Sequence, residues 1–185
     1  MERTSMIDAA FVRTWSARYP TEREPTRTLE LEIERKLLEE VGPAVANRGY
    51  YVRSEFLRVG RWKSPRSTTY LEHNTDDDIE YVTRSALAAP ERLQHRFLDV
   101  LSGVGVKMAS ALLMIPAPER FTVCDFRAIE TLGRHGELDT GFKPDDYLSY
   151  LRLCRVLANR VGTNLRTLDR ALWQWSKERG QATGC

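Results

Sequence analysis

The sequence predicts an all-α fold, on three observations. Apolar residues recur at intervals of three and four, which places them on one face of a helix. No segment alternates apolar and polar residues as a half-buried strand does. Prolines, glycines and cap-forming side chains punctuate the chain at helix-length intervals. The first stripe is Ile7, Phe11 and Trp15 with Ala10 and Tyr19, ended by Pro20. Thr21 to Thr28, carrying proline and several charges, reads as a linker. A second helix follows with Leu29, Ile33, Leu37 and Val41 on one face, and Gly42-Pro43 is expected to break or kink it.

Arg53 to Trp62 reads as a short helix bearing Phe56, Leu57 and Val59, which runs into turn chemistry at Lys63-Ser-Pro-Arg66. Thr75 is placed to cap a helix whose first turn is Asp76, Asp77 and Asp78, acids that the helix dipole favours there. Pro90-Glu91 opens another helix with Leu93, Phe97, Leu98 and Leu101 inward. An apolar helix from Lys107 to Ile115 is stopped by Pro116 and Pro118. Asp125 to Leu132 forms a short helix ending at Gly133. Pro144 to Val161 forms a longer one, with Tyr147, Leu148, Leu151, Cys154, Val156 and Leu157 on its apolar face and Gly162 as its C-terminal cap. Asn164 or Thr163 caps a last helix bearing Leu165, Leu168, Leu172 and Trp175, and Gly180 to Cys185 is expected to fray.

At 185 residues the chain is long enough to bury a core, as one domain or as two small lobes. A net charge of +2 does not by itself point to a nucleic-acid partner. Cys124, Cys154 and Cys185 are too few and too scattered for a disulfide framework, a zinc ribbon or a four-cysteine iron–sulfur cluster. They fit a reducing compartment. No apolar run is long enough to span a bilayer and the N-terminus has no signal-like apolar region, so a cytoplasmic protein without a membrane partner is expected. His73, His95 and His135 show no metal-ligand spacing, and no metal is expected on them.

The chemistry-bearing segment is Leu101-Ser-Gly-Val-Gly-Val-Lys-Met-Ala109. Gly103-Val104-Gly105 makes a tight corner between two helices, because glycine accepts positive φ and lets another backbone come close. The N–H groups opening the second helix then point outward beside a positive dipole end, a ready phosphate site. Leu98 and Leu101 before the turn, and Ala109 and Leu112 after it, frame the corner with apolar contacts. A glycine-rich αα-hairpin with no ligand uses the same residues.

This segment resembles the helix-hairpin-helix DNA glycosylases, the superfamily of endonuclease III and 8-oxoguanine glycosylase. Their signature Leu-Pro-Gly-Val-Gly-x-Lys-x-Ala is matched by Leu101 to Ala109, and the aspartate that opens a later helix is matched by Val123-Cys-Asp125-Phe-Arg127, 18 residues after Lys107. Val59-Gly-Arg-Trp62-Lys-Ser-Pro-Arg66 is similar to the family's glycine–aromatic turn with its following base, and Leu168 to Trp175 resembles the helix closing the second lobe. Leu29 to Tyr50 holds no counterpart of the family's glutamine-bearing helix start, and the iron–sulfur loop is absent.

The resemblance implies a two-lobed helical fold, with residues 21–118 as a central lobe holding the hairpin and residues 1–20 with 119–185 as the second lobe. It implies base-excision repair: cleavage of the N-glycosidic bond of a damaged base, with AP lyase capability, on duplex DNA carrying a damaged or abasic site. Asp125 is the carboxylate that stabilises charge at the anomeric carbon or deprotonates the nucleophile, and Lys107 the amine that forms a Schiff base. Plainer roles exist for both: Lys107 as a solvated lysine or phosphate contact, Asp125 as a helix N-cap. A helix-hairpin-helix module that binds DNA without chemistry is the alternative.

Gly103, Val104 and Gly105 are the expected backbone-binding corner, and their carbonyls a site for a monovalent cation by the same resemblance. Arg48, Arg53, Arg58, Arg61, Lys63 and Arg66 stand against Glu55 alone between residues 48 and 66, a local basic stretch suited to DNA. Within it Lys63 and Arg66 are candidate phosphate contacts, and Trp62 either stacks on a base or packs in the core. Arg127 contacts phosphate or forms a salt bridge. Cys124 reads as a small buried hydrophobe rather than a reactive thiol, and Trp15, Trp173 and Trp175 as core aromatics. The protein is expected to act as a monomer.

Overall fold

The computed structural model describes residues 7–19, 25–139, 141–143 and 145–180, and every regular element among them is helical. The chain forms two compact units, Glu22–Phe121 and a second one built from both termini, Met1–Thr21 with Thr122–Cys185.

Helix α1 (Ala9–Arg18) starts where Asp8 accepts from the N–H of Phe11 at 2.7 Å, an Asp N-cap satisfying one of the orphan donors of a first turn. Pro20 lies outside the described residues. So does Thr21–Glu24, but the rest of the expected linker is helix: α2 (Pro25–Lys36) opens on Pro25, whose missing N–H costs nothing at a first position. Gly42-Pro43 does not break the chain's path. A π-helical turn over Leu37–Val41 joins α2 directly to α3 (Gly42–Arg48), and the Gly42 N–H reaches the Leu37 carbonyl five residues back. The widened turn relieves the clash a proline ring makes with a normal helix, so Pro43 is absorbed. Ile33 is also not inward. It is 38% exposed, while Glu34 is buried beside Leu37 and Val41.

Helix α4 (Arg53–Lys63) buries Phe56, Leu57, Val59 and Gly60. A short turn at Pro65–Ser67 leads into α5 (Thr68–Leu71). Helix α6 (Asp76–Ala88) is capped by Thr75, whose hydroxyl accepts from the Asp78 N–H at 3.1 Å while the Asp78 carboxylate accepts from the Thr75 N–H, a reciprocal capping box. In α7 (Glu91–Leu98) the inward face differs from the expected one. Leu98 is buried, but Gln94 and His95 are buried with it, and Phe97 is 42% exposed. Gln94 donates to the Leu87 carbonyl at 3.0 Å, which offsets part of the cost of burying an amide whose oxygen is left unbonded among the described residues. Helix α8 (Val106–Met114) is the most deeply buried element of this unit, with Leu112 and Leu113 fully enclosed. Fully burying one such leucine stabilises by about 1.5–3 kcal/mol.

In the unit built from the termini, α9 (Phe126–Arg134) runs one residue past Gly133. Helix α10 (Tyr147–Val161) is capped by Asp146 and stopped by Gly162 at φ +69°. Its buried face is Tyr147, Tyr150, Leu151, Cys154, Leu157 and Ala158; Val156 is 61% exposed and Leu148 half-buried, so the face is turned from the expected one. Asn164, not Thr163, caps α11 (Leu165–Gly180) by accepting from the Thr167 N–H at 2.8 Å. Residues 181–185, where the chain was expected to fray, lie outside the described residues. Helix α11 is the hub of this unit, packing against α1, α9 and α10.

Phe11 on α1 and Trp175 on α11 close edge-on over His135, with ring centroids at 5.1 and 4.7 Å. Neither buried ring nitrogen of His135 has a hydrogen-bond partner among the described residues. Burial holds its imidazole below the usual histidine range, against a smaller opposing pull from Glu137. A base whose folded pKa is depressed costs nothing above its unfolded value near 6.5, and its penalty grows as pH falls below that value. The urea midpoint is therefore expected to drop between about pH 7.5 and about pH 5.5, and His135→Phe, which keeps the ring contacts, is expected to flatten that drop. An equal drop in both proteins would assign the acid sensitivity elsewhere.

Candidate nucleic-acid interface

The corner between α7 and α8 is set by three residues. The first is Gly103. Its φ is +77°, and a Cβ there would stand 2.9 Å from the Tyr70 Cβ and 3.1 Å from the Leu71 nitrogen. Glycine is required twice over, by backbone conformation and by close approach. The second is Asn74, buried, whose side-chain amide donates to the Ser102 carbonyl at 3.0 Å while its oxygen accepts from the Ser102 N–H at 2.8 Å. One amide thus satisfies both backbone groups of Ser102 and anchors the loop. The third is Val104, 4% exposed, whose side chain seals the corner from inside.

Gly105 differs from Gly103. It is the N-cap of α8 with φ −100° and ψ −174°, extended backbone that any residue adopts, and a Cβ added there would meet nothing within 4 Å. Asp8, Thr75, Asp125 and Asp146 cap their helices with a side chain, whereas Gly105 offers none to α8. The exposed corner therefore presents the first-turn N–H groups and positive end of a nine-residue helix to its surroundings. Lys107 is exposed in that same first turn.

Asp125 belongs to the other unit. It is the N-cap of α9, its Oδ1 accepting from the Arg127 N–H at 2.9 Å, so the cap role is real. The non-helical stretch Phe121–Cys124 ahead of it is buried. Two tyrosines of α10 hold it: Tyr147 donates to the Thr122 carbonyl at 3.0 Å and Tyr150 to the Val123 carbonyl at 3.1 Å. Cys124 is fully buried. The Arg127 guanidinium lies 5.0 Å from the Phe126 ring centroid and 5.5 Å from that of Trp173. Trp15, Trp173 and Trp175 are half-buried, not enclosed.

The basic stretch is largely compensated. Arg48 pairs with Glu55, Arg58 with Glu40 at 3.6 Å, and Arg61 with Glu72 at 3.6 Å. Arg53 donates to the carbonyls of Asn74 and Glu72 and lies 3.7 Å from Asp76. Glu40, Glu72 and Asp76 lie outside residues 48–66 and reach these bases from other elements. Arg66 is exposed in the Pro65–Ser67 turn and meets no carboxylate among the described residues. Trp62 and Lys63 are half-buried at the end of α4. An open pocket of about 660 Å³ is lined by Arg53, Arg58 and Arg61 with Val52, Ser54, Leu57 and Asp76.

Among the described residues no three His, Cys, Asp or Glu side chains are grouped to hold a metal, and no helix is long and apolar enough to cross a membrane. No family model matches the chain, and comparison with curated proteins and with solved structures returns no match.

Proposed function

We propose that the chain binds DNA, seating a backbone phosphate on the Gly103–Lys107 corner, and that it acts there as an N-glycosylase of damaged bases with AP lyase capability. The observation that carries the binding is Gly105. Neither its dihedrals nor its surroundings call for glycine, yet a side chain there would occupy the space in front of the α8 N-terminus. That is the place a phosphate oxygen takes when a helix N-terminus receives it. Lys107, exposed in the first turn, adds charge to the same corner.

The chemistry rests on two residues, each with its own role. The Asp125 carboxylate, oriented by the Arg127 N–H, stabilises positive charge at the sugar's anomeric carbon as the base departs. The Lys107 amine attacks the anomeric carbon; a C–N bond forms as the glycosidic bond breaks, and the base leaves with the bonding electrons and takes up a proton. The sugar's C1'–O4' bond then breaks as the nitrogen lone pair forms the C=N bond, and O4' takes up a proton, which leaves an open-chain Schiff base.

Two measurements test this. Binding to duplex DNA is expected to weaken steeply as salt rises, because each phosphate contact releases counterions. Borohydride is expected to trap a covalent adduct on DNA carrying an abasic site, absent in Lys107→Ala, while Asp125→Asn loses base release. Binding indifferent to salt would sink the DNA reading. Salt-sensitive binding with no adduct and no base release would leave a backbone-binding module without chemistry.

A further inference from the structure

Tyr70 is a large aromatic left 61% exposed on α5, directly beside the hairpin corner. Its surroundings are closely packed. The next residue, Leu71, is fully buried and lies under two glycines: a Cβ on Gly60 would come 2.2 Å from Leu71 Cδ1, and one on Gly103 would come 3.2 Å from Leu71 Cδ2. The turn after α5 is tied down as well, since Asn74 donates to the Leu71 carbonyl at 2.9 Å and holds Ser102 on the hairpin. The Tyr70 Cβ itself abuts Gly103. The base of the ring is therefore fixed against the corner, while its far end stands in solvent.

A second ring completes the feature. His73, also exposed, stands edge-on to Tyr70 with centroids 6.4 Å apart and planes at 86°. The one acid between them in sequence, Glu72, has Arg61 at 3.6 Å, so an anion approaching this edge meets a compensated carboxylate. Arg66 is exposed one helical turn before Tyr70. Isolated exposed aromatics are common and carry no meaning alone. An exposed aromatic whose Cβ abuts the corner proposed to seat a phosphate is a different arrangement. Every base has a π-face, and stacking on an aromatic side chain is how proteins hold bases whose faces are free.

We propose that Tyr70, backed edge-on by His73, is a stacking platform for one unpaired base of the DNA whose backbone the hairpin holds. The inference rests on the backbone reading above and adds the class of DNA: strands with an unstacked base, such as single strands, gaps or mismatches. In a fully paired duplex both faces of each base are covered by neighbours, so the platform finds nothing to hold.

The test compares two labelled oligonucleotides on the full chain by fluorescence anisotropy, one fully paired and one with a single unpaired 2-aminopurine. Tyr70→Ala keeps the Cβ that touches Gly103, so its melting temperature is expected to match wild type. It is expected to bind the unpaired-base DNA about tenfold more weakly and the paired DNA within about twofold of wild type. Tyr70→Phe is expected to retain full affinity, and 2-aminopurine emission to be quenched by wild type but not by Tyr70→Ala. An equal loss on both DNAs, or a loss on neither, overturns the platform. If wild type shows salt-dependent binding while Tyr70→Ala loses nothing, the hairpin reading stands and the platform falls. If wild type binds neither DNA in a salt-dependent way, both fall.

Discussion

Gly105→Asp is expected to make the protein slightly more stable and to weaken its binding to DNA by at least about tenfold. The two signs come from one position. Residue 105 has the extended dihedrals of an N-cap, and an aspartate there would accept from the open N–H groups of α8, gaining a few tenths of a kcal/mol over glycine. The same carboxylate would fill the place proposed for the phosphate and repel it. A gain in stability together with intact DNA affinity would falsify the phosphate seat. Gly103→Ala is the control, with the opposite profile. It forces a side chain to φ +77° and into the Tyr70 Cβ and Leu71 backbone, at a cost of about 3 kcal/mol and a fall in melting temperature of about 6–12 °C. The two glycines of one turn would thus separate what the fold needs from what the proposed phosphate seat needs.

That contrast explains which parts of the molecule were legible in the sequence. Helices were, because their ends carry chemical markers readable in place: Thr75, Asp125 and Gly162 cap as their residue types predict. The faces of α7 and α10 were not, because periodicity assumes that buried means apolar. Gln94 is buried by virtue of a bond to Leu87, and Tyr150 by a bond to Val123, partners no local pattern reveals. The same limit hid Asn74 and Tyr70 from the candidate interface. Asn74 acts on Ser102, 28 residues away, and Tyr70 joins the corner only because Gly103 comes to rest against it. Charge misled for a related reason: the bases of α4 are adjacent in sequence, but Glu40, Glu72 and Asp76 reach them through space.

Stability is expected to fall steeply in alkali, with Tyr150→Phe showing a shallower fall from a lower starting point. The cause is a recurring device, a buried tyrosine hydroxyl donating to a backbone carbonyl. Tyr51 donates to the Leu112 carbonyl at 2.9 Å. Four residues beyond Leu112 stands Pro116, which has no N–H to give, so this hydroxyl supplies the donor the helix lacks. Tyr147 and Tyr150 serve Thr122 and Val123 in the segment leading to Asp125. Burial first, and nearby acids and thiols second, push all three phenols well above the ordinary tyrosine range, and burial pushes the Cys154 thiol up as well. An acid with a raised folded pKa leaves stability whole below its unfolded value and removes it as pH climbs past that value, because the unfolded chain then sheds a proton the folded one keeps. The loss should begin near the thiol's unfolded value of 9.0 and steepen above the phenols' 10.0, each group contributing at most about 1.4 kcal/mol per pH unit. Tyr150→Phe leaves the Val123 carbonyl buried without its donor and should cost about 1–3 kcal/mol near neutral pH. It also removes one of the titrating groups, so its urea midpoints and those of wild type should converge above about pH 10. Parallel curves, or a wild-type profile that stays flat to about pH 11, would show that these hydroxyls do not hold the interior as their geometry requires.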